Sequence, residues 1–370
     1  MGGRHTYPAL PALVGLLSGA VLCLSGALYA QATKEHASAV RNISSASKGK
    51  PSSLSPLEIW RKSQTIGADR PMRAQFSLTI WRDGKSFATL AQVAQGAHGS
   101  YRMVYEAPPS ARGRVVWIHN RNYWQYEPAK NLLTRTELPA RDTWSKSLAH
   151  QQIERNYRVS LLSDRETVAG RATYLIELKA VSEGKGRQRI WVDRATFKAL
   201  RVETYYANGT LARLITYSNI AFPARIPDSE MKPALGPNVR RRETPLSTTM
   251  PESDSRKMAE RARSVGLMAE GPLGFRLERV MVGRVGKKQT LQLIYSDGLE
   301  TLSVFVQENG APFRQASAEW RAVPMKQITA YRRVRGHTDT LLWTHRGRRY
   351  TVIAHLQPSA MEAFVREQIR

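Results

Sequence analysis

Residues Leu293–Val306 read LIYSDGLETLSVFV. With Leu291 before them, Leu293 and Tyr295 alternate along one side of an extended segment, and Leu302, Val304 and Val306 alternate along another. Between them stands Asp297-Gly298, a step that supplies the left-handed backbone a tight turn needs. Period-two alternation on both sides of such a turn predicts a β-hairpin with one face in a core.

The neighbouring sequence extends that sheet. GPLGFRLERVMVG precedes the hairpin, and MKQITAYRRV, DTLLWTHRG and RYTVIAHL follow it as further strands. PSAMEAFVREQI closes the chain with Ser359 and Glu362 at capping-box spacing, which predicts a terminal helix. Residues 263–370 therefore read as a small sheet-and-helix domain.

Upstream, the pattern stops. Residues 223–262 contain six prolines with VRRRETP and STTMPESDSRK, and read as an extended spacer. Residues 55–222 return to period two. Turns at Asp83-Gly84, Ala169-Gly170 and Asn208-Gly209 separate strand-like runs, with a helical break near Arg141–Asn156. Ser55 stands where an N-cap would open a helix, with Leu57, Trp60 and Ile66 on its apolar face. The fold class is mainly antiparallel β with helices.

Residues 1–32 are apolar after Arg4 and His5 and end Ala30-Gln31-Ala32. They read as a secretory signal peptide, or as an uncleaved N-terminal anchor, with residues 33–54 a flexible tether. Both readings place the rest outside the cytoplasm. The formal charge of +26 over 370 residues favours an anionic partner, and export turns that preference from nucleic acid to membrane surfaces, anionic lipid and membrane proteins. Cys23 is the only cysteine and lies in the leader, so the exported chain has no disulfide and no thiolate.

Chemistry is not signalled. No G-x-S-x-G, H-E-x-x-H or phosphate-binding glycine loop occurs, and the eight histidines show no metal-ligand spacing. The expectation is a non-enzyme with no cofactor and no metal. Binding is signalled instead by aromatic residues on strands, with Trp81, Trp117, Tyr123, Trp124 and Tyr126 the candidate ligand-contacting set. In NRNYWQYEP three rings fall within four positions of one strand, so they cannot all face one core.

On specific segments the chain resembles the RseB/MucB family of periplasmic sigma-E regulatory proteins. Tyr295–Leu299 with Ser303–Val306 resembles that family's Y-S-D-G-L hairpin, and Trp191, Asp193, Arg194 and Thr196 resemble its W-x-D-R-x-T segment. VAGRATYLIEL is similar to the strand before it. The resemblance implies a half-open β-barrel-like large domain of the lipoprotein-carrier kind. It also implies a periplasmic, non-enzymatic role in the envelope stress response: binding the periplasmic part of a membrane-anchored anti-sigma factor and answering an acyl-lipid or lipopolysaccharide signal. On that footing Tyr295, Asp297, Gly298 and Leu299 are the candidate partner-contacting residues. The alternative is a periplasmic lipid or lipoprotein carrier holding acyl chains in the large domain. The long apolar leader and proline-rich spacer depart from the family pattern.

Overall fold

The computed structural model describes residues 54–82, 84–138, 143–244, 254–285, 288–308, 319–325, 327–335, 338–354 and 358–368. The leader, most of the tether and Asp83 lie outside them.

Among these residues twelve strands form one sheet. They are β1 (Met72–Arg82), β2 (Lys85–Gln95), β3 (Tyr101–Ala107), β4 (Val115–His119), β5 (Asn122–Glu127), β6 (Leu132–Glu137), β7 (Tyr157–Val168), β8 (Arg171–Ala180), β9 (Arg187–Asp193), β10 (Ala199–Tyr205), β11 (Leu211–Ala221) and β12 (Arg240–Thr244). The order is β12-β6-β5-β4-β3-β2-β1-β11-β10-β9-β8-β7, so the sheet stays open with β12 and β7 at its edges. Every pairing is antiparallel except β12 on β6. The β7–β8 turn has Ala169 at φ +50° and Gly170 at φ +74°, as its sequence predicts.

Three helices accompany the large sheet: α1 (Pro56–Gln64), the short α2 (Ile66–Asp69) and α3 (Thr143–Asn156). At the start of α1, Ser55 Oγ accepts from the Glu58 amide at 3.2 Å and Glu58 Oε2 accepts from the Ser55 amide at 2.8 Å. The helix buries Ile59 and Trp60, whereas Ile66 is 55% exposed. The face expected from Leu57, Trp60 and Ile66 is broken at Thr65 (φ −112°, ψ −81°), which ends the 3.6-residue period before Ile66. Ile59, Trp60 and Ile153 pack on Phe76, Ile176, Ile190, Val202, Ile215 and Tyr217 from five adjacent strands, forming the large core.

The stretch 223–262, read as a spacer, is structured where it is described. A 3-10 turn, Asp228–Met231, lies against β3 and β4 on the face away from the helices. Met231 and Ile226 bury against Ala94 there. Glu230 takes both Arg73 guanidinium nitrogens at 2.6 and 2.7 Å. Asn131 Nδ2 donates to the Asn238 carbonyl at 3.0 Å, and Arg240–Thr244 then joins the sheet edge as β12. Prolines hide this strap in the sequence: they spoil periodicity yet leave side-chain anchors free to bind.

The second sheet runs β13 (Arg276–Val285), β14 (Lys288–Ser296), β15 (Thr301–Gln307), β16 (Arg321–Pro324), β17 (Thr329–Arg335), β18 (Thr338–His345) and β19 (Arg348–Ala354), ordered β13-β14-β15-β19-β18-β17-β16. Leu293, Tyr295, Leu302, Val304 and Val306 all enter one core, as the alternation predicts. Helix α4 (Ser255–Ser264) contributes Met258 and Ala262, and α5 (Pro358–Gln368) contributes Met361, Phe364 and Val365. α4 begins inside the supposed spacer, capped by Asp254, which accepts from the Arg256 and Lys257 amides. Each fully buried aliphatic or aromatic side chain contributes about 1.5–3 kcal/mol, so this core supports a domain of its own.

Candidate functional site: the contact between the two domains

The β14–β15 turn is built locally. Asp297 Oδ1 accepts from the Leu299 amide at 2.9 Å and the Glu300 amide at 2.7 Å. Ser296 Oγ accepts from the Gly298 amide at 2.9 Å, and Gly298 sits at φ +98°. One carboxylate oxygen thus closes the turn, which is ordinary aspartate turn chemistry.

The other oxygen leaves the domain. Asp297 Oδ2 accepts from the Tyr157 hydroxyl at 2.6 Å, at the start of β7, and forms an ion pair with Lys185 Nζ from the loop between β8 and β9. Asp297 is fully buried and the Lys185 side chain is 7% exposed. Lys185 Nζ also donates to the Leu273 carbonyl at 3.2 Å and lies over the Phe275 ring at 4.7 Å. Burial pulls the Lys185 amine down to about 8, with Glu300 opposing that shift.

The end of α3 grips the same turn. Asn156 Nδ2 donates to the carbonyls of Asp297 (2.9 Å) and Gly274 (3.0 Å), and Gln152 Nε2 donates to the Ser296 carbonyl (3.3 Å). Gly274, at φ +80°, has no room for a Cβ, which would lie 2.4 Å from Asn156 Oδ1. Further out, Arg213 lies 3.9 Å from Glu300, and Arg82 lies 3.8 Å from the buried Asp339, which Arg332 also holds at 2.7 Å. Beside the turn opens a shallow cleft of about 60 Å³, its walls including Tyr157, Lys185, Arg187, Tyr205, Leu299 and Glu300.

The candidate partner residues separate here. Tyr295 is fully buried in the small-domain core, its hydroxyl on the Met268 carbonyl at 2.8 Å and its ring edge-on to Phe364. Asp297 lies inside the interdomain contact. Gly298 is half-buried, and Leu299 packs on the large-domain core and lines the cleft. The aromatic candidates also divide. Trp117 pairs across β4–β5 with Trp124, and Tyr126 shares their face. Tyr123 faces the other way, buried among Val116, Ile118 and Leu138. Trp81 stands apart at the end of β1, its carbonyl accepting from the Tyr206 hydroxyl at 2.9 Å. Lys185, Tyr157, Gln152 and Asn156 were not singled out from sequence. The one available signal was a lysine between two glycines, Gly184-Lys185-Gly186.

The large-domain motif serves a turn. Asp193 Oδ1 accepts from the Thr196 amide and hydroxyl, both at 2.8 Å, and Oδ2 accepts from Arg171 Nε at 2.6 Å. Burial acts to raise this carboxyl, but the Arg171 and Thr196 hydrogen bonds hold it below the usual range. Among the described residues no three His, Cys, Asp or Glu side chains gather as metal ligands.

Against solved structures, the MucA/MucB complex of Pseudomonas aeruginosa aligns at 15% identity, covering 84% of this chain and 96% of that one, with a TM-score of 0.52. This chain shares the fold of MucB. A second structure, MucB in complex with MucA(peri), aligns at 14% identity over 84% of this chain and 96% of that one, with a TM-score of 0.50. A family model described as "-like: Uncharacterized protein" matches residues 98–226. No curated protein matches the chain.

Proposed function

We propose that this protein is a non-enzymatic regulator of the envelope stress response. It resides in the periplasm and binds the periplasmic part of a membrane-anchored anti-sigma factor. An acyl lipid or lipopolysaccharide signal modulates that binding. The observation that carries the reading is the reach of the fold likeness: it covers 96% of MucB, a protein solved in complex with MucA, and so takes in both domains. The net charge of +26 and the apolar first 32 residues agree with a partner at a membrane. Leu299 and Gly298 offer the accessible part of the hairpin tip, and Trp124 and Tyr126 offer half-buried rings to an acyl group.

Crosslinking in the envelope, followed by capture of the full chain, should recover one membrane protein with a single span and an exported segment, with any lipid identified in the same sample. Recovery of lipid without such a protein would favour the carrier reading. That reading has less support from packing, because Ile59, Trp60 and Ile153 fill the helix-covered face where acyl chains would lie.

A further inference from the structure

The two domains keep separate apolar cores, and what joins them is mostly polar. Apart from Leu299 and the Phe275 ring, the contacts around the hairpin tip run through amide, carbonyl, hydroxyl, ammonium and carboxylate groups. Polar interfaces between domains permit relative motion unless something pins them. The pin is placed in an unusual way. Lys185 is buried, yet it comes from a surface loop and is flanked by Gly184, at φ +76°, and Gly186. Gly186 lies so close to the β10 end that a Cβ would sit 1.6 Å from the Tyr205 carbonyl oxygen, which fixes the loop's base. The lysine crosses into the small domain and ends among Asp297, the Leu273 carbonyl and the Phe275 ring. Lys185 and its partner Tyr157 also line the cleft beside the turn.

We propose that Lys185 is a positioning residue: seated against Asp297 and Tyr157, it fixes the orientation of the two domains, and its withdrawal frees them while both remain folded. The local turn does not need the lysine, because Asp297 Oδ1 alone holds the Leu299 and Glu300 amides. The large domain does not need it either, because Lys185 lies in a loop and is not a member of that domain's apolar core, which α1, α3 and the strands build. Only the angle between the domains depends on the pair. The pair acts as a unit, since removing either partner leaves the other buried without a counter-charge. The consequence for partner binding rests on the proposed function; the latch itself does not.

The test uses the full chain carrying Cys23→Ala, with spin labels at Lys179→Cys in the large domain and Arg256→Cys in the small one, both exposed. The parent should give one narrow distance distribution. Lys185→Met and Asp297→Asn should each broaden it at least twofold, and the double variant should be no broader than either single one. Asp297→Asn keeps an Oδ1 acceptor for the turn, so it removes the charge and spares the hairpin. It should also raise tryptic cleavage after Lys185 at least tenfold, because the lysine leaves its socket. If Lys185→Met fails to fold, Lys185→Gln carries the same expectation. A narrow distribution in both single variants overturns the proposal, as does broadening that simply adds in the double variant. Capture of the membrane partner is measured in parallel. Lost capture in the parent sinks the proposed function and leaves the distance result to decide the latch.

Discussion

Two buried aspartates, Asp193 and Asp297, do the same local job and serve different ends. Each accepts backbone amides of its own turn with Oδ1, and each offers Oδ2 to a cation. At Asp193 the cation is Arg171, on the adjacent strand of the same sheet, and the Arg171 guanidinium lies over Phe222 at 4.7 Å. At Asp297 the cation is Lys185, in the other domain. The first pair ties a hairpin to its neighbour; the second ties one domain to another. Turn chemistry is local and repeatable, while the identity of the second partner depends on what the fold brings alongside.

The strongest challenge to this comparison is Gly298→Val. A β-branched residue at φ +98° is strongly disfavoured, and about 1–3 kcal/mol of stability should be lost. Chemical denaturation of the full chain should show the small domain unfolding earlier while the large-domain transition holds. An unchanged small-domain transition would mean that the turn tolerates a side chain and is not what sets the hairpin.

Asp193→Asn should cost about 1–2 kcal/mol, because it weakens charge-assisted hydrogen bonds to Arg171 and Thr196 but leaves the arginine partly solvated. Its signature is a lower large-domain melting temperature with an unchanged interdomain distance. A changed distance would erase the distinction drawn between the two aspartates.

A third test compares Lys185 with Lys198, a buried lysine that has an amide rather than a carboxylate at its tip. Lys198 is fully buried, its Nζ donating to Gln95 Oε1 at 2.6 Å, and burial pulls it down to about 7. Unfolded, a lysine titrates near 10.4. Between those values the unfolded chain holds more protons than the folded one, so large-domain stability rises with pH from about 7 upward, by at most about 1.4 kcal/mol per pH unit. Below that window both states are charged and the burial penalty is fully present. Melting the large domain from pH 6 to 9.5 measures the slope, and Lys198→Met should flatten it. An unchanged slope in the variant would assign the pH dependence to other groups.

The smallest effect belongs to Tyr157→Phe, which removes one hydrogen bond from Asp297 and leaves the ion pair. The loss should be about 1 kcal/mol at the domain contact, read as faster amide exchange at the β14–β15 turn. Exchange as fast as in Asp297→Asn would make the tyrosine, not the lysine, the principal tie.

The sequence by itself determined the hairpins. Alternation of Leu293 and Tyr295 with Leu302, Val304 and Val306 places them on one face whatever surrounds them, and Gly298 and Gly170 mark turns because positive φ is a local steric matter. It also indicated that Tyr123, Trp124 and Tyr126 cannot all face one core. It did not reveal the strap, because Arg73–Glu230 and β12 on β6 join residues more than a hundred positions apart without periodicity to announce them. It could not show that Asp297 is buried under Lys185 and Tyr157, since nothing local distinguishes a turn carboxylate facing water from one facing another domain. Those contacts exist because two independently packed cores place the SEGKG loop and the YSDGL turn together, and burial then makes each charge require the other.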